Sequence, residues 1–210
     1  MIMEIQIIKY FGPSIAKTKI PENIIDQLNS YIDRIAIDRQ KSNELNMGFE
    51  LAGDVTQEFK LEREFMSKSG WLNFLANVTR EWIKTETGEK ITKFEMIESW
   101  IVRQFKNEYN PIHWHNGHIS GAGFLKLPDT FGTHVQDKRN KNYVGGTLNF
   151  IHGSKQFMSN SKFKIIPQVG DFYFFPHYLM HTVYPFKGTN EERRSISFNA
   201  NIDNKIFNMN

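Results

Sequence analysis

The spacing of apolar residues changes character at Gly88, and this change limits the fold more than any other feature of the sequence. Before Gly88, apolar residues recur three or four positions apart, as they do on one face of a helix. After it, helical spacing disappears and short strand-like runs follow one another between turn residues. Several short strands with regular turn signals are typical of an antiparallel sandwich or barrel. The sequence therefore predicts N-terminal helices packed on a two-sheet β core.

Two helices are predicted before Gly88. The first begins at Pro21, whose missing N–H costs nothing in the first helical turn, and its apolar face comprises Ile24, Ile25, Leu28, Tyr31, Ile32 and Ile35. The second runs from about Ser69 to Thr85, and Gly88 is suited to end it. Its apolar face comprises Trp71, Phe74, Leu75, Val78 and Trp82.

The remaining elements are predicted from alternation and turn residues. A strand is expected over 3–10, and a mobile loop over the charged, irregular stretch 41–66. The predicted strands of the β half are 91–108, 118–127, 143–152, 162–166, 171–175, 180–186 and 193–202. The turns between them include Asn110-Pro111, Pro128-Asp129, Gly145-Gly146, Gly170-Asp171 and Gly188-Thr189. We expect a single domain, 1–210, with a helical support region (1–90) and a β core (91–210).

Composition excludes several classes of function. The chain of 210 residues contains no cysteine, so disulfides, thiolate metal sites and a cysteine nucleophile are ruled out, and His, Asp and Glu remain as metal ligands. The net charge of +3 is small and spread out, which argues against a nucleic-acid partner. The sequence contains no run of about 18 apolar residues, so no membrane span is predicted. The N-terminus lacks the pattern of a signal peptide, so a cytoplasmic protein is expected.

Four of the seven histidines fall in two clusters. His113 and His115 are two residues apart, which on a strand places both imidazoles on one face, where they could bind one metal or simply pack. His181 begins a predicted strand after an aromatic run, and a jelly roll brings such a position close to His115. His177 stands in the loop before it and is expected to face solvent.

Arg193 and Ser195 share one face of the last predicted strand, whereas Arg194 takes the other. A guanidinium fork followed two residues later by a hydroxyl is a good receptor for a carboxylate. A solvated cation on an edge strand is the alternative for Arg193.

The order of these residues, within about 100–200, resembles the 2-oxoglutarate/Fe(II)-dependent dioxygenases, and in particular a prolyl-hydroxylase-like branch found in phages and marine bacteria. The similar stretches are Asn110-Pro111-Ile112-His113-Trp114-His115, Ile119-Ser120-Gly121 through Pro128, Gly145-Gly146-Thr147-Leu148-Asn149-Phe150, Phe174-Phe175-Pro176 to His181, and Glu192 to Asn199.

The resemblance implies a double-stranded β-helix (jelly-roll) core supported by two to three helices. It implies that His113, His115 and His181 hold Fe(II), and that Arg193 and Ser195 hold the distal carboxylate of 2-oxoglutarate. The implied reaction uses dioxygen, hydroxylates a substrate and releases succinate and CO2. That substrate is a peptidyl residue such as proline, or a small molecule. The stretches 41–66 and 129–143 are candidate substrate lids.

Two positions depart from the family pattern. His115 stands where an Asp is usual, which removes one negative charge from the metal, and His118 is an alternative ligand. Phe124 stands where prolyl hydroxylases tend to have Tyr. Ser120 and Tyr109 are therefore predicted to line the 2-oxoglutarate pocket in place of that hydroxyl.

Two other functions stay open. One is a three-histidine, cupin-type metalloenzyme that does not use 2-oxoglutarate, for which Arg193 and Ser195 would be unnecessary. The other is a non-catalytic β-sandwich binding module, which leaves the ordered histidines unexplained. Formation of a homodimer is also undecided.

Overall fold

The computed structural model describes residues 5–8, 12–48, 51–132 and 145–209. The strands among them are β1 (Gln6–Ile8), β2 (Ile15–Lys19), β3 (Gln57–Lys60), β4 (Phe94–Gln104), β5 (Asn110–His113), β6 (Ile119–Lys126), β7 (Leu148–Ile151), β8 (Lys162–Ile165), β9 (Asp171–Pro176), β10 (Met180–Val183) and β11 (Arg193–Ile202). The helices are α1 (Glu22–Ile37), α2 (Arg39–Leu45), α3 (Arg63–Lys68), α4 (Trp71–Thr87) and α5 (Asn204–Phe207).

The strands form two sheets. The large sheet has the order β1-β2-β9-β6-β11-β4-β3, and the small sheet has the order β5-β10-β7-β8. Neighbouring strands are antiparallel in both sheets. The predicted mainly β fold with N-terminal helices is therefore confirmed.

The longest ladder of the large sheet joins β4 to β11, from the Arg193–Gln104 pair to the Ile202–Phe94 pair. Side chains alternate across it, as the period of a strand requires. Ile196 and Phe198 are fully buried in the core beneath the helices. The side chains of Arg193 and Ser195 belong to the opposite face, which the small sheet covers.

Helices α1 and α4 cover one face of the large sheet, and both predicted apolar faces are confirmed. Gly88 ends α4 with a φ of 77°, a left-handed conformation that glycine adopts without strain. Pro21 lies one residue before the first turn of α1, at its N-cap. No helix among the described residues is long and apolar enough to cross a membrane.

Strand β9 shows how one aromatic run serves two cores. Phe172 and Phe174 pack in the core beneath the helices, whereas Tyr173 and Phe175 pack between the two sheets. On the neighbouring strand β6, Gly121 leaves room for the rings of Phe172 and Phe198, which a Cβ atom there would overlap. The four aromatic residues of β9 therefore fix the large sheet between its two layers.

Three predictions about local structure are wrong. The stretch 41–66, predicted as a mobile loop, contains the end of α2, the strand β3 and the start of α3. The predicted turn at Asn110-Pro111 is the start of β5, an edge strand in which proline is tolerated. The first ninety residues are more than a helical support, since β1, β2 and β3 belong to the large sheet. Parts of the predicted strands 3–10 and 143–152 lie outside the described residues.

A buried ion-pair network ties the first helix to the large sheet. Arg194 donates to both carboxylate oxygens of Glu192, at 2.6 and 2.9 Å, and to Asp33 on α1 at 2.6 Å. Arg103 on β4 donates to the same Glu192 at 2.8 Å. Burial by itself would raise the pKa of Glu192, but the hydrogen bonds and charges of Arg194 and Arg103 outweigh it and lower the pKa to about 2.

Glu192→Gln should destabilise the protein by roughly 3 kcal/mol near neutral pH, because it removes the carboxylate that Arg103 and Arg194 share. Since the pKa of Glu192 is depressed, its stabilisation is present above pH 4.5 and is lost as the pH falls through 2. Denaturant unfolding of both proteins over that pH range checks this. Glu64→Gln, which removes an exposed ion pair with Lys68, should change stability little. An equal effect of the two substitutions would contradict the assignment.

Candidate metal centre and anion-binding cavity

Strand pairing in the small sheet brings two distant histidines together. His113, the last residue of β5, is paired directly with His181 of β10. His115 lies beyond the end of β5, and its backbone N–H donates to the carbonyl of His177 at 3.0 Å. The prediction that His113 and His115 share one strand face is therefore wrong, although the turn after β5 still directs both imidazoles to one place.

The three imidazoles converge on a point. One ligand atom from each of His113, His115 and His181 can be chosen so that all lie within 4.8 Å of one another. The Nε2 atoms of His115 and His181 are 3.0 Å apart. Imidazole nitrogens bind an ion such as zinc at about 2.1 Å, so two of them at right angles are about 3.0 Å apart. The spacing fits a divalent metal ion.

The backbone fixes which nitrogen faces the centre. The Nδ1 atom of His113 lies 2.8 Å from the carbonyl of Pro111, and the Nδ1 atom of His181 lies 2.9 Å from the carbonyl of Leu179. A carbonyl can only accept, so each Nδ1 carries the proton and each Nε2 keeps its lone pair. This arrangement of outer hydrogen bonds is the one that metal-ligating histidines commonly have.

Burial keeps all three imidazoles neutral. It lowers the pKa of His113 and, together with the neighbouring charges of His113 and His177, lowers that of His115 to about 3. The pKa of His181 lies well below its usual value, mainly because the side chain is buried. Neutral imidazole is the form that binds metals, so the site is ready to bind a metal at neutral pH.

The two other histidines near this centre do not join it. His118 accepts a hydrogen bond from the backbone N–H of Ile202 at 3.1 Å and stacks on Phe207 at a ring distance of 3.8 Å. The Nδ1 atom of His177 contacts the carbonyl of His115 at 3.2 Å, and the side chain is half-buried. His118 and His177 therefore contact the residues around the metal centre and are not positioned as its ligands.

Arg193 is an uncompensated charge in the interior. Its side chain is 1% exposed, and among the described residues no carboxylate pairs with it. It donates to the carbonyl of Gly146 at 2.9 Å and to the hydroxyl of Ser195 at 3.1 Å, and lies over the ring of Phe124 at 5.2 Å. Burial lowers its pKa to about 9, so it stays charged at neutral pH. A buried cation with unused donors is a site for an anion.

The two predicted replacements for the missing tyrosine hydroxyl lie elsewhere. Tyr109 is 39% exposed, makes backbone hydrogen bonds with Asp54, and is absent from the cavity wall. Ser120 is fully buried, and its hydroxyl donates to Oδ1 of Asn199 at 2.8 Å, so it orients that cavity residue from behind. The structure places neither hydroxyl beside Arg193, whose neighbour at that point is Phe124.

One cavity of about 320 Å³ joins the histidines to Arg193 and Ser195. It lies between the two sheets, and its other polar wall residues, which the sequence analysis missed, are Glu58, Glu98, Asn110, Asn116, Ser197 and Asn199. Alternation on β11 could have indicated Ser197 and Asn199. Glu58 carried no such signal, because its face depends on the pairing of β3 with β4.

Glu58 is the most unusual of these wall residues. Its side chain is fully buried, and neither carboxyl oxygen has a hydrogen-bond partner within the described part of the chain. Burial raises the pKa of Glu58 to about 7, the neighbouring amide of Asn110 lowers it in part, and the charge of Glu108 raises it further.

Solved structures of known proteins identify the fold as a double-stranded β-helix of the 2-oxoglutarate oxygenase type. The chain is similar to a prolyl-4-hydroxylase of Pseudomonas putida, with a TM-score of 0.58, 15% identity, and coverage of 88% of this chain and 91% of that one. It is similar to the viral collagen prolyl hydroxylase of Paramecium bursaria Chlorella virus-1, with a TM-score of 0.55, 16% identity, and coverage of 91% and 96%. For an oxidoreductase of the 2OG-Fe(II) oxygenase family from Burkholderia pseudomallei, the TM-score is 0.52 at 12% identity, with coverage of 88% and 83%.

The sequence itself matches one family over the β half. Residues 98–199 match the family described as putative 2OG-Fe(II) oxygenases. That segment contains the three converging histidines as well as Arg193 and Ser195. A comparison with curated proteins finds no match. The matched segment comprises 102 of the 210 residues, just under half of the chain.

Glu58→Gln should make the protein more stable above pH 7, by roughly 3 kcal/mol, because it removes a carboxylate that is buried without a partner. A raised pKa means that the stability contributed by protonated Glu58 is complete below pH 4.5 and is lost as the pH rises through 7. Thermal unfolding of wild type and variant between pH 4.5 and 8.5 measures the difference. If Glu58→Gln stabilises the protein equally at pH 4.5 and at pH 8.5, the raised pKa of Glu58 is contradicted.

Proposed function

We propose that the protein is an Fe(II)- and 2-oxoglutarate-dependent dioxygenase that hydroxylates its substrate. The observation that carries this proposal is the cavity itself. Three neutral imidazoles converge at one point of its wall, and an arginine that is buried without a carboxylate partner belongs to the same wall. A ligand with one metal-chelating end and one carboxylate end would satisfy both.

His113, His115 and His181 would hold the iron as neutral imidazoles. Fe(II) and 2-oxoglutarate, when bound, supply the oxidising chemistry: one atom of dioxygen goes to the substrate as a hydroxyl group, and the other to succinate, with loss of CO2. The carbonyls of Pro111 and Leu179 keep His113 and His181 oriented. Such outer contacts usually strengthen metal binding.

Arg193 and Ser195 would bind the distal carboxylate of 2-oxoglutarate. The hydrogen bonds from Arg193 to Gly146 and Ser195 hold the guanidinium in one orientation before any ligand arrives, so little entropy is lost on binding. Phe124, Leu148 and Val183 form the apolar part of the nearby wall, which excludes water and strengthens the ion pair.

The substrate would enter from the side of Trp114, a cavity residue that is 64% exposed. Met47, Leu51 and Ala52 from the segment before β3 also line the cavity, so part of the stretch 41–66 covers the substrate. A peptidyl proline is one candidate substrate, because similar folds belong to prolyl hydroxylases; a small molecule is the other. Of the second candidate lid, 129–143, only residues 129–132 are described.

A three-histidine metalloenzyme that does not use 2-oxoglutarate is the second candidate function. The observation that favours it is His115, an imidazole where a carboxylate would give iron a negatively charged ligand. In that enzyme Arg193 would bind a substrate anion. The two candidates differ in whether 2-oxoglutarate binds and is consumed.

His181→Ala should weaken Fe(II) binding by more than the roughly 10- to 100-fold that loss of a supporting contact costs, because it removes a direct ligand. Anaerobic titration with Fe(II) by calorimetry measures the affinity. His118→Ala is the matched control and should bind Fe(II) as the wild type does, since His118 is turned toward Ile202. If His118→Ala is the variant that loses the metal, the proposed ligand set is wrong.

Arg193→Met should weaken 2-oxoglutarate binding about a hundred-fold or more without affecting Fe(II), because a buried carboxylate would lose its charged partner. The affinities are measured on the metal-loaded protein without oxygen, and succinate release is then measured in air. Arg80→Met, on an exposed part of α4, should behave as the wild type. If the wild-type protein with bound Fe(II) neither binds nor consumes 2-oxoglutarate, the three-histidine alternative is supported instead.

A further inference from the structure

We propose that Glu58 is a cation-binding subsite of the cavity, which takes a protonated amine or guanidinium group of the substrate, and that Glu98 adds negative charge to the same cavity wall. The proposal deepens the proposed function, on which it rests for the identity of the substrate-binding cavity. It is argued from the placement of two carboxyl groups in the cavity wall, from their unused hydrogen-bonding capacity, and from the charge that the cofactors would leave.

Glu58 lies two strands away from the anion-binding residues across the large sheet. In the large sheet it is paired with Val102 on β4, and Val102 is paired with Ser195 on β11. Adjacent strands are about 4.8 Å apart, so the backbone of Glu58 is roughly 10 Å from that of Ser195. A ligand on Arg193 and a substrate group on Glu58 could therefore occupy the cavity together.

The carboxyl group of Glu58 has no cationic partner among the described residues, and the neutral amide of Asn110 is its polar neighbour. Its two oxygens are buried without hydrogen-bond partners, and no salt bridge involves it within the described residues. The other fully buried carboxylate of the sheet, Asp171, is neutralised by Lys17 and Lys19 at 2.9 and 2.7 Å. Burying a carboxyl group without a partner is costly, and a cationic ligand would remove that cost.

Glu98 provides a second acceptor, and its orientation is fixed. The hydroxyl of Ser120 donates to Oδ1 of Asn199, and Nδ2 of Asn199 donates to Oε1 of Glu98 at 3.1 Å. This chain engages one oxygen of Glu98 and leaves the other available in the cavity wall. Glu58 and Glu98 are both on the cavity side of neighbouring strands, with Trp100 between the rows they occupy.

The charge of the cavity also requires a cation. Among its wall residues Arg193 is the one permanent positive charge, and the distal carboxylate of 2-oxoglutarate would neutralise it. Three neutral histidines add no charge to Fe(II), whose two positive charges are balanced by only one remaining carboxylate of 2-oxoglutarate. With both glutamates ionised, which for Glu58 requires a pH above about 7, the filled site has a net charge of −1, which a substrate bearing a single positive charge would cancel.

The aromatic residues beside the two glutamates suit an organic cation. Trp100 and Trp114 both line the cavity, and Trp114 is largely exposed at its rim. Aromatic faces attract ammonium and guanidinium groups, and the attraction grows when water is excluded. A hydrated metal ion gains less from such walls, so an amine or a guanidinium is the expected occupant.

The test compares two probes that differ in one terminal group, n-butylammonium and 1-butanol. Their binding is followed by shift changes in 1H–15N NMR spectra of the protein loaded with redox-inactive Zn(II) and 2-oxoglutarate, and of the metal-free protein. Wild type should bind the ammonium about ten-fold more tightly than the alcohol, as expected for one added charge-assisted hydrogen bond. Glu58→Gln should lose this preference, and Glu98→Gln should reduce it.

Glu95→Gln is the matched control, because it removes the same charge from an exposed position of the same strand that is not part of the cavity wall, and it should keep the wild-type preference. The subsite is refuted if wild type does not distinguish the two probes, or if Glu58→Gln distinguishes them as well as wild type does. If Zn(II) and 2-oxoglutarate fail to bind while the metal-free protein still prefers the ammonium at Glu58, the subsite stands and the proposed function fails. If both bind but the preference is absent, the proposed function stands and the subsite fails.

Discussion

The ladder between β4 and β11 is the constraint on which the remaining structure depends. Its alternation divides the molecule into two layers: Ile196 and Phe198 lie beneath the helices, and Arg193 and Ser195 lie between the sheets. Because the strand is continuous, the packing of the helix layer and the position of the anion-binding arginine are fixed together. Displacement of β11 by one residue would exchange the two faces and bury Arg194 in the cavity instead.

The two arginines at the start of β11 show how partners decide the role of a buried charge. Arg194 is surrounded by Glu192, Asp33 and the side chain of Asn29, so it stabilises the attachment of α1 and has nothing left to offer a ligand. Arg193, one residue earlier and equally buried, contacts only neutral groups. On the proposed function, the free energy spent on burying Arg193 would be recovered when an anion binds.

Much of this arrangement could be predicted from local patterns. The apolar faces of α1 and α4, the strand containing Arg193, and the convergence of the histidines follow from periodicity and from the order of motifs. The failures concern long-range pairing. Tyr109 was assigned to the pocket, whereas it precedes β5 and its backbone is paired with Asp54. Glu58 was assigned to a loop because its strand is short and polar and forms only by pairing with β4.

The presence of His115 where a carboxylate is usual can be explained by the charges of the whole cavity. An aspartate at that position would place its negative charge directly on the metal. With an imidazole there, the negative charge of the cavity wall resides on Glu58 and Glu98. A carboxylate on iron strengthens metal binding whatever the substrate, whereas carboxylates in the wall act only on a group that reaches them. If the three histidines hold the metal as proposed, the electrostatic balance of the site would depend on the substrate, since a cationic substrate would complete the neutralisation that a ligand aspartate otherwise provides.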